Sequence, residues 1–403
     1  MGGHHRQLPT AADFTLKSDS LLHKLPVIGG IIGLAGIGGA VAMGGGFHDK
    51  QFAYSYLTAF MYWLSIALGA LFFVMIQFAT RAGWSVLVRR VAETVAATLP
   101  VFVLLFIPVI LSMHTLYHHW LEPNGDPLIL KKSGYLNEPF FLGRAAFYLL
   151  SWSALAWYFR SHSTRQDQTG DLEHTRLMQA RSYPAIAIFA LTITFAAIDW
   201  MKSLDPHWYS TMWGIYYFAG GMIGFFTFFG LVILAMTRKG ADAFHGAVTT
   251  EHRHDIGKYT FGFVVFWAYI AFSQYFLIWY GSIPEETIWF QHRQHGGWEN
   301  LGYALIFGHF VLPFFFLLSR HVKRNRVAYA LGALWLLGIH YVDLYFNIMP
   351  VGSAHFAPHA VDALSMVGVG GIFVATFAAL MTRSAIVPLR DPRLPESFRF
   401  ENF

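Results

Sequence analysis

The sequence predicts an all-α integral membrane protein with about ten transmembrane helices, and three observations lead to this class. Hydrophobic residues make up 55% of the 403 residues and charged residues only 13%, whereas a soluble domain carries about 25% charged residues. The apolar residues fall into blocks of about 20, the length of helix that crosses about 30 Å of hydrocarbon. Lysine and arginine concentrate in alternate connecting segments, as in membrane proteins whose cytoplasmic loops are basic.

Ten apolar blocks are long enough to cross a bilayer. They are residues 26–46, 51–79, 90–113, 138–159, 184–202, 210–237, 259–280, 299–319, 327–347 and 359–382. In the first block, Gly29 and Gly33 have the small-xxx-small spacing that lets two helices approach closely in a bilayer. We expect one transmembrane domain over residues 26–382, between an N-terminal segment, residues 1–25, and a C-terminal tail, residues 383–403.

The positive charges predict which side of the membrane each loop faces. Of the 28 Lys and Arg residues, 22 lie in the terminal segments and in loops 80–90, 160–183, 238–258 and 320–326. Five lie on the other side, and Arg144 lies inside a span. Because the excess of positive charge marks the cytoplasmic side, we expect both chain ends there. The net charge of +5 has the same explanation and does not indicate nucleic-acid binding.

The absence of cysteine excludes several redox centres from this chain. Without cysteine there can be no disulfide, no cysteine-ligated iron–sulfur cluster and no thioether-linked haem. The twenty histidines lie mostly in loops and lack the spacing of a zinc site. We therefore expect no metal site and no covalently bound cofactor.

Ionisable residues inside the predicted spans are the candidate functional residues, because each costs several kcal/mol in hydrocarbon unless it finds a partner. In the ninth span, His340, Asp343 and Asn347 lie on one helix face. His309 lies at the middle of the eighth span, at a depth similar to that of His340. Since a His–Asp pair can exchange protons near neutral pH, these residues are candidates for a proton pathway.

A second group lies near the outer ends of the fourth and fifth spans. Arg144 needs a carboxylate, a carbonyl or water as its partner, and Asp199 or Asp343 could serve. Asp199 and Lys202 are three residues apart and are predicted to share a helix face, with Asp205 following in the loop. The alternative is a pair of interfacial side chains whose charged ends reach water.

Two further sets of polar residues lie near the membrane boundaries. In the seventh span these are Ser273, Gln274 and Tyr280, although the aromatic residues here are more typical of an interfacial aromatic belt than of a cofactor site. On the cytoplasmic side, Glu93 is either a group through which protons enter or a carboxylate paired with Arg89 or Arg90.

The residues alone leave two other classes of protein open. A b-type haem needs two facing histidines, and His309 with His340 is the credible pair. A stand-alone secondary transporter is the other alternative. It is less favoured, because the polar groups cluster toward the outer side and no paired broken spans are evident.

Two stretches of the chain resemble a known family. They are DWMKSLDPHWYSTMWGIYYFAGG, residues 199–221, and AFSQYFLIWYGSIPEET, residues 271–287. Both resemble the membrane subunits of alternative complex III, a bacterial quinol oxidoreductase, and more broadly the polysulfide-reductase membrane-subunit (NrfD-like) superfamily. The length near 400 makes the chain similar to the smaller of the two such subunits, the F subunit or quinone-binding subunit 2.

The resemblance implies two four-helix bundles, formed by spans 2–5 and 6–9, with spans 1 and 10 outside them. It implies a place in the bacterial inner membrane, beside a sister NrfD-like subunit, an iron–sulfur (molybdopterin-like) subunit and c-type haem subunits.

Such a complex oxidises menaquinol and passes electrons through clusters and haems on those partners. The chain would then be a non-redox subunit of a quinol:cytochrome c (or equivalent acceptor) oxidoreductase, with no catalytic residue of its own. It would carry protons or frame a quinone site. The residues that match the family's polar stretches are Asp199, Lys202, Asp205, Ser273, Gln274 and Tyr280.

Overall fold

The computed structural model describes residues 14–16 and 20–402. Most of the predicted N-terminal segment, residues 1–25, therefore lies outside the described residues. The described part is almost entirely helical, with one two-stranded antiparallel ribbon in which Thr237 pairs with Asp242 and Arg238 with Ala241. This confirms the all-α membrane class.

The helices follow one another along the chain with short connections. They are α1 Leu25–Met43, α2 Lys50–Ala79, α3 Val86–Ala96, α4 Val101–Leu105, α5 Ile107–Leu111, α6 Met113–Leu116, α7 His118–Leu121, α8 Pro127–Lys132, α9 Glu138–Thr169 and α10 Glu173–Trp200, then α11 Trp213–Met236, α12 Thr250–Gly281, α13 Pro284–His292, α14 Trp298–Ala304, α15 Leu312–Leu318, α16 Arg320–Arg324, α17 Arg326–Gly352, α18 Ala360–Met381 and α19 Leu394–Phe398. A π-helical segment, Leu305–Val311, joins α14 to α15. Two 3₁₀ turns are Leu21–His23 and Lys202–Leu204, and the strands are β1 Thr237–Arg238 and β2 Ala241–Asp242.

Nine helices of the described residues are long and apolar enough to cross a membrane. The remaining predicted span, 138–159, lies within α9, which is 32 residues long but is less apolar because it carries Arg144. Helices α9 and α10 also continue through most of the predicted loop 160–183 and leave only residues 170–172 between them.

The third span is broken into α3, α4 and α5, with Pro100 and Pro108 at the breaks, because proline has no N–H to donate within a helix.

The predicted bundles are present. In the first bundle α2, α3, α9 and α10 pack together, and in the second α11, α12, the α14–α15 segment and α17 do. Helix α2 also packs against α11 and α17, so it holds the two bundles together and is the most deeply buried span. Helix α1 packs along α18, outside both bundles.

The loops define two ends of the molecule. We call the end formed by residues 80–85, 170–172, 237–249, 319–325 and 382–400 the basic end, and the other the opposite end. The C-terminal tail folds across the basic end, where Asp391 forms an ion pair with Arg89. Ser397 Oγ lies 2.6 Å from the Trp84 carbonyl and 3.2 Å from the Leu87 amide, so it both donates and accepts there. The tail therefore packs on the helix ends rather than extending away from them.

Glycine allows α1 to lie directly against α18. A Cβ added at Gly33 would lie 2.7 Å from the Ile372 amide nitrogen, and one added at Gly36 would lie 2.7 Å from Gly368 Cα. Both distances are shorter than any tolerated contact, so a larger residue at either position forces the helices apart.

We predict that Gly36→Leu lowers the free energy of unfolding by about 1–3 kcal/mol, the usual cost of overpacking a close contact. The measurement is unfolding in mixed detergent micelles. Gly38→Leu is the matched control, because a Cβ at Gly38 has no described heavy atom within 4 Å. Equal stability of the two variants would contradict the prediction.

Candidate functional site

The second bundle contains a cluster of buried polar side chains, which we call the central cluster. Its members come from four elements and are Tyr216 on α11, Trp267 on α12, His309 in the π-helical segment, and His340, Asp343 and Asn347 on α17. His309 and His340 have no exposed surface, and Asp343 is 1% exposed. The structure thus brings the predicted residues of the eighth and ninth spans together at one depth.

Asp343 is held by three neutral donors. Tyr216 donates its hydroxyl to Asp343 Oδ1, and Trp267 Nε1 donates to Oδ2 across 3.2 Å. Asn347 Nδ2 donates to Oδ1 at 3.1 Å and to the Asp343 carbonyl at 2.7 Å. Within residues 20–402, no arginine or lysine forms an ion pair with this carboxyl group. A buried carboxyl group without a fixed counter-ion is one that can gain or lose a proton.

The two histidines of the central cluster have ring nitrogens without a hydrogen-bond partner among the described residues. His340 Nε2 lies 2.9 Å from Ser65 Oγ on α2, but His340 Nδ1 and both nitrogens of His309 have no hydrogen-bond partner among the described residues. The ring centroids are 6.4 Å apart, which is too far for direct hydrogen bonding. Buried polar atoms of this kind are usually satisfied by ordered water, so the cluster offers sites for water between titratable groups.

Two glycines of α11 make room for the His340 ring. A Cβ at Gly224 would lie 2.9 Å from His340 Cδ2. A Cβ at Gly220 would lie 3.2 Å from His340 Nδ1 and 3.4 Å from Asp343 Oδ2, so both atoms border the same small space. The π-helical segment adds a second irregularity, because π-turns within α-helices occur frequently at functional sites.

A second buried site lies in the first bundle, at the opposite end. Arg144 donates from Nε to Asp199 Oδ2 at 2.7 Å and from Nη2 to Oδ1 at 3.1 Å, which makes a two-point ion pair. Tyr148 donates its hydroxyl to Oδ2 at 2.9 Å, and Arg144 Nη1 donates to the Tyr135 carbonyl at 2.9 Å. Of the two carboxylates expected as partners for Arg144, the structure places Asp199 beside it and Asp343 in the other bundle.

Lys202, which follows Asp199 in the chain, contacts residues outside the Arg144–Asp199 site. Helix α10 ends at Trp200, and Lys202 lies in a 3₁₀ turn. Lys202 Nζ lies 3.4 Å from the Asp205 carbonyl and 5.5 Å from the Trp208 ring centroid. The prediction that Asp199 and Lys202 share one helix face is therefore wrong, because the helix ends between them.

The other predicted residues lie apart from both sites. Gln274 Oε1 accepts a hydrogen bond from Ser210 Oγ at 2.7 Å. Tyr280 is 76% exposed, as an interfacial belt residue is. Glu93 forms ion pairs with Arg89, at 3.3 Å, and Arg90, at 2.9 Å. Pairing with both arginines matches one of the two expectations for Glu93, although all three side chains are buried rather than at the surface.

Asp362 is a buried carboxylate that the sequence reasoning missed. It accepts hydrogen bonds from Ser55 Oγ at 2.5 Å, Gln51 Nε2 at 2.9 Å and Tyr345 at 3.1 Å. Asp362 lies at the start of α18, and its Oδ2 also accepts a hydrogen bond from the His359 backbone N–H at 2.8 Å. A lone acid inside the apolar block 359–382 was the signal that could have revealed it.

A polar cleft of about 490 Å³ opens to solvent at the opposite end. Its lining includes His118, His119, Glu122, Asp126 and His207. His207 Nε2 lies 2.7 Å from Asp126 Oδ2, and this hydrogen bond holds the pKa of Asp126 below its usual range. In the part of the chain that the structure describes, no three His, Asp or Glu side chains converge as metal ligands do.

The fold and the central cluster define a polytopic α-helical membrane protein with a cluster of buried polar side chains in its second bundle. No protein-family model matches the chain, and no curated protein matches it.

We predict that Asp199→Ala lowers the free energy of unfolding by about 3–5 kcal/mol, because it leaves the Arg144 charge buried without its counter-ion. Unfolding in mixed micelles measures the change. Glu285→Ala, at an exposed position, is the control and should change stability by no more than about 0.5 kcal/mol. A wild-type stability for Asp199→Ala would mean that the ion pair contributes nothing to folding.

Proposed function

We propose that the chain is a membrane subunit of a quinol-oxidising respiratory complex of the alternative complex III type, and that its central cluster carries protons. Electrons would pass through iron–sulfur clusters and c-type haems on partner subunits, so this subunit is not catalytic alone. The resemblance of residues 199–221 and 271–287 to that family supports the first part of the proposal. The geometry around Asp343 supports the second.

The proposed proton role rests on one observation. The buried carboxyl group of Asp343 is hydrogen-bonded only by neutral donors, and it lies near two histidines that have ring nitrogens without a hydrogen-bond partner among the described residues. If these side chains only joined helices, their hydrogen-bonding atoms would be expected to satisfy one another. Three ring nitrogens instead have no partner among the described residues. Open nitrogens beside a carboxyl group without a counter-ion are what a site needs if a proton is to arrive and leave.

The charge of the loops supports an orientation of the chain in the membrane. The alternation of positive charge supports a basic end in the cytoplasm and an opposite end in the periplasm of a bacterial inner membrane. Quinol oxidation itself would take place in the sister subunit or at a site that this chain frames. A menaquinol-linked complex would then use the central cluster as one stage of proton transfer across the second bundle.

A stand-alone secondary transporter is the second candidate, because transporters carry broken helices at the membrane midplane. The chain has breaks in its third span, at Pro100 and Pro108, and in its eighth span, at the π-helical segment. These spans are the second helix of the first bundle and the third helix of the second bundle. The breaks therefore do not occupy corresponding positions, as the broken helices of inverted repeats do, and the transporter ranks lower.

The b-type haem alternative meets a steric objection. The Trp267 ring centroid lies 3.9 Å from that of His309, and His340 packs against Gly220 and Gly224 of α11. A macrocycle between the histidines would extend sideways beyond both rings, into space that Trp267 and the α11 backbone fill. An absorption spectrum of the isolated chain tests this directly, and a haem Soret band would overturn the objection.

We predict that Asp343→Asn, in the complex purified with its partners, slows proton translocation at least about tenfold, because the amide cannot release a proton. The measurement is the pH change in proteoliposomes during quinol oxidation, with the oxidation rate recorded in parallel. Asp171→Asn, at an exposed position in the loop between α9 and α10, is the matched control. Normal translocation in both Asp343→Asn and His340→Gln would remove the proton role.

Membership of the complex is tested separately. After gentle solubilisation, the chain should co-purify with c-type haem and iron–sulfur subunits. A chain that purifies alone and moves a solute into liposomes would instead be a transporter.

A further inference from the structure

We infer that a groove at the basic end of the membrane-spanning region binds one acyl chain of an anionic phospholipid, with the phosphate at Lys258. The groove has a volume of about 540 Å³ and lies where α2, α11 and α12 meet. We call it the aromatic groove; its wall is formed by Phe72, Phe218, Tyr259, Gly262, Phe263 and Phe266. Its volume lies in the range of specific small-molecule sites.

The shape of the aromatic groove depends on one missing side chain. Gly262 is exposed, and a Cβ added there would meet no described heavy atom within 4 Å. Phe72 and Phe218 pack edge to face on the other side, with ring centroids 4.8 Å apart. The result is a concave aromatic surface open to the surrounding hydrocarbon, which a flexible acyl chain fills better than a flat helix face would.

The polar end of the aromatic groove indicates the headgroup. Lys258 and Asp255 line this end and form an ion pair at 2.5 Å, and the Lys258 side chain remains 48% exposed. Lys258 Nζ also donates to Asn402 Oδ1 at 2.8 Å, so one of its three hydrogens is left for a phosphate oxygen. Tyr259 stacks on Trp84, with centroids 5.8 Å apart, and such aromatic residues mark the headgroup level.

Charge decides between classes of lipid. The loops of the basic end hold ten Lys and Arg residues against four Asp and Glu residues, so the potential at this end favours an anionic headgroup over a neutral one. Basic pockets between transmembrane helices on the cytoplasmic side bind anionic phospholipids in this way. A neutral quinone also has an apolar tail, but it lacks the negatively charged headgroup that the Lys258 ammonium group attracts.

The test uses the full chain, purified in detergent and exposed to mixed micelles of phosphatidylglycerol and phosphatidylcholine, with retained lipid counted by native mass spectrometry. We expect phosphatidylglycerol to be retained over phosphatidylcholine. We expect Gly262→Leu, which fills the groove while favouring the helix, to reduce that retention at least fivefold, and Lys258→Gln to remove the preference for the anionic lipid.

Gly338→Leu is the matched control, because Gly338 is also an exposed helix glycine whose Cβ would meet no described atom within 4 Å. It should retain the lipid as the unchanged chain does. Equal retention by Gly262→Leu and Gly338→Leu would overturn the inference, as would equal binding of the two lipids. A co-purifying quinone that Gly262→Leu releases would also overturn it, because the occupant would then be a quinone. Proton translocation does not enter these measurements, so the proposed function stands or falls separately.

Discussion

Hydrocarbon offers no hydrogen-bond partner, so every polar atom that this chain places between its helices must be satisfied by another part of the chain or by enclosed water. The fold meets this constraint in several places by joining helices. Arg144 on α9 reaches Asp199 on α10, and Arg160 on α9 reaches the Leu380 carbonyl at 2.9 Å near the end of α18. The polar contacts therefore fix which helices are neighbours, while the apolar surface only requires that they be helices.

The same constraint explains how the chain tolerates proline within a span. Pro350 lies inside α17 and has no N–H, so it cannot donate to the Phe346 carbonyl one turn earlier. Arg293, in the loop after α13, donates to that carbonyl from Nε at 3.0 Å and to the Asn347 carbonyl from Nη2 at 3.0 Å. Its guanidinium group also lies 3.5 Å from the centroid of the Trp289 ring. A buried arginine thus replaces a missing backbone donor directly beside the central cluster.

The sequence was sufficient for the class, for the approximate positions of the spans, for the shared helix face of His340 and Asp343 and for the similar depth of His309 and His340, because hydropathy and helical spacing are local properties. It was not sufficient for Tyr216 and Trp267, which complete the site around Asp343 from α11 and α12. Aromatic residues are common throughout these spans, and nothing in their spacing distinguishes a ligand of Asp343 from a belt residue. The break between Asp199 and Lys202 was also missed, because it depends on how α10 ends and not on residue spacing. Long-range partners of this kind are set by packing between helices, which a single sequence does not encode locally.

Asp199 and Asp343 show how one residue type acquires two roles. Both are buried carboxyl groups, but Asp199 faces the guanidinium group of Arg144 through two bonds, whereas Asp343 faces a phenol, an indole and an amide. The guanidinium group ties the Asp199 carboxyl group to one geometry through two bonds, so that site holds α9 to α10. The neutral donors around Asp343 can stabilise a negative charge without requiring one, and the Tyr216 hydroxyl oxygen can also accept a hydrogen bond from the protonated form. Both protonation states of Asp343 are therefore compatible with the same packing, which is the physical condition for passing protons without disturbing the bundle.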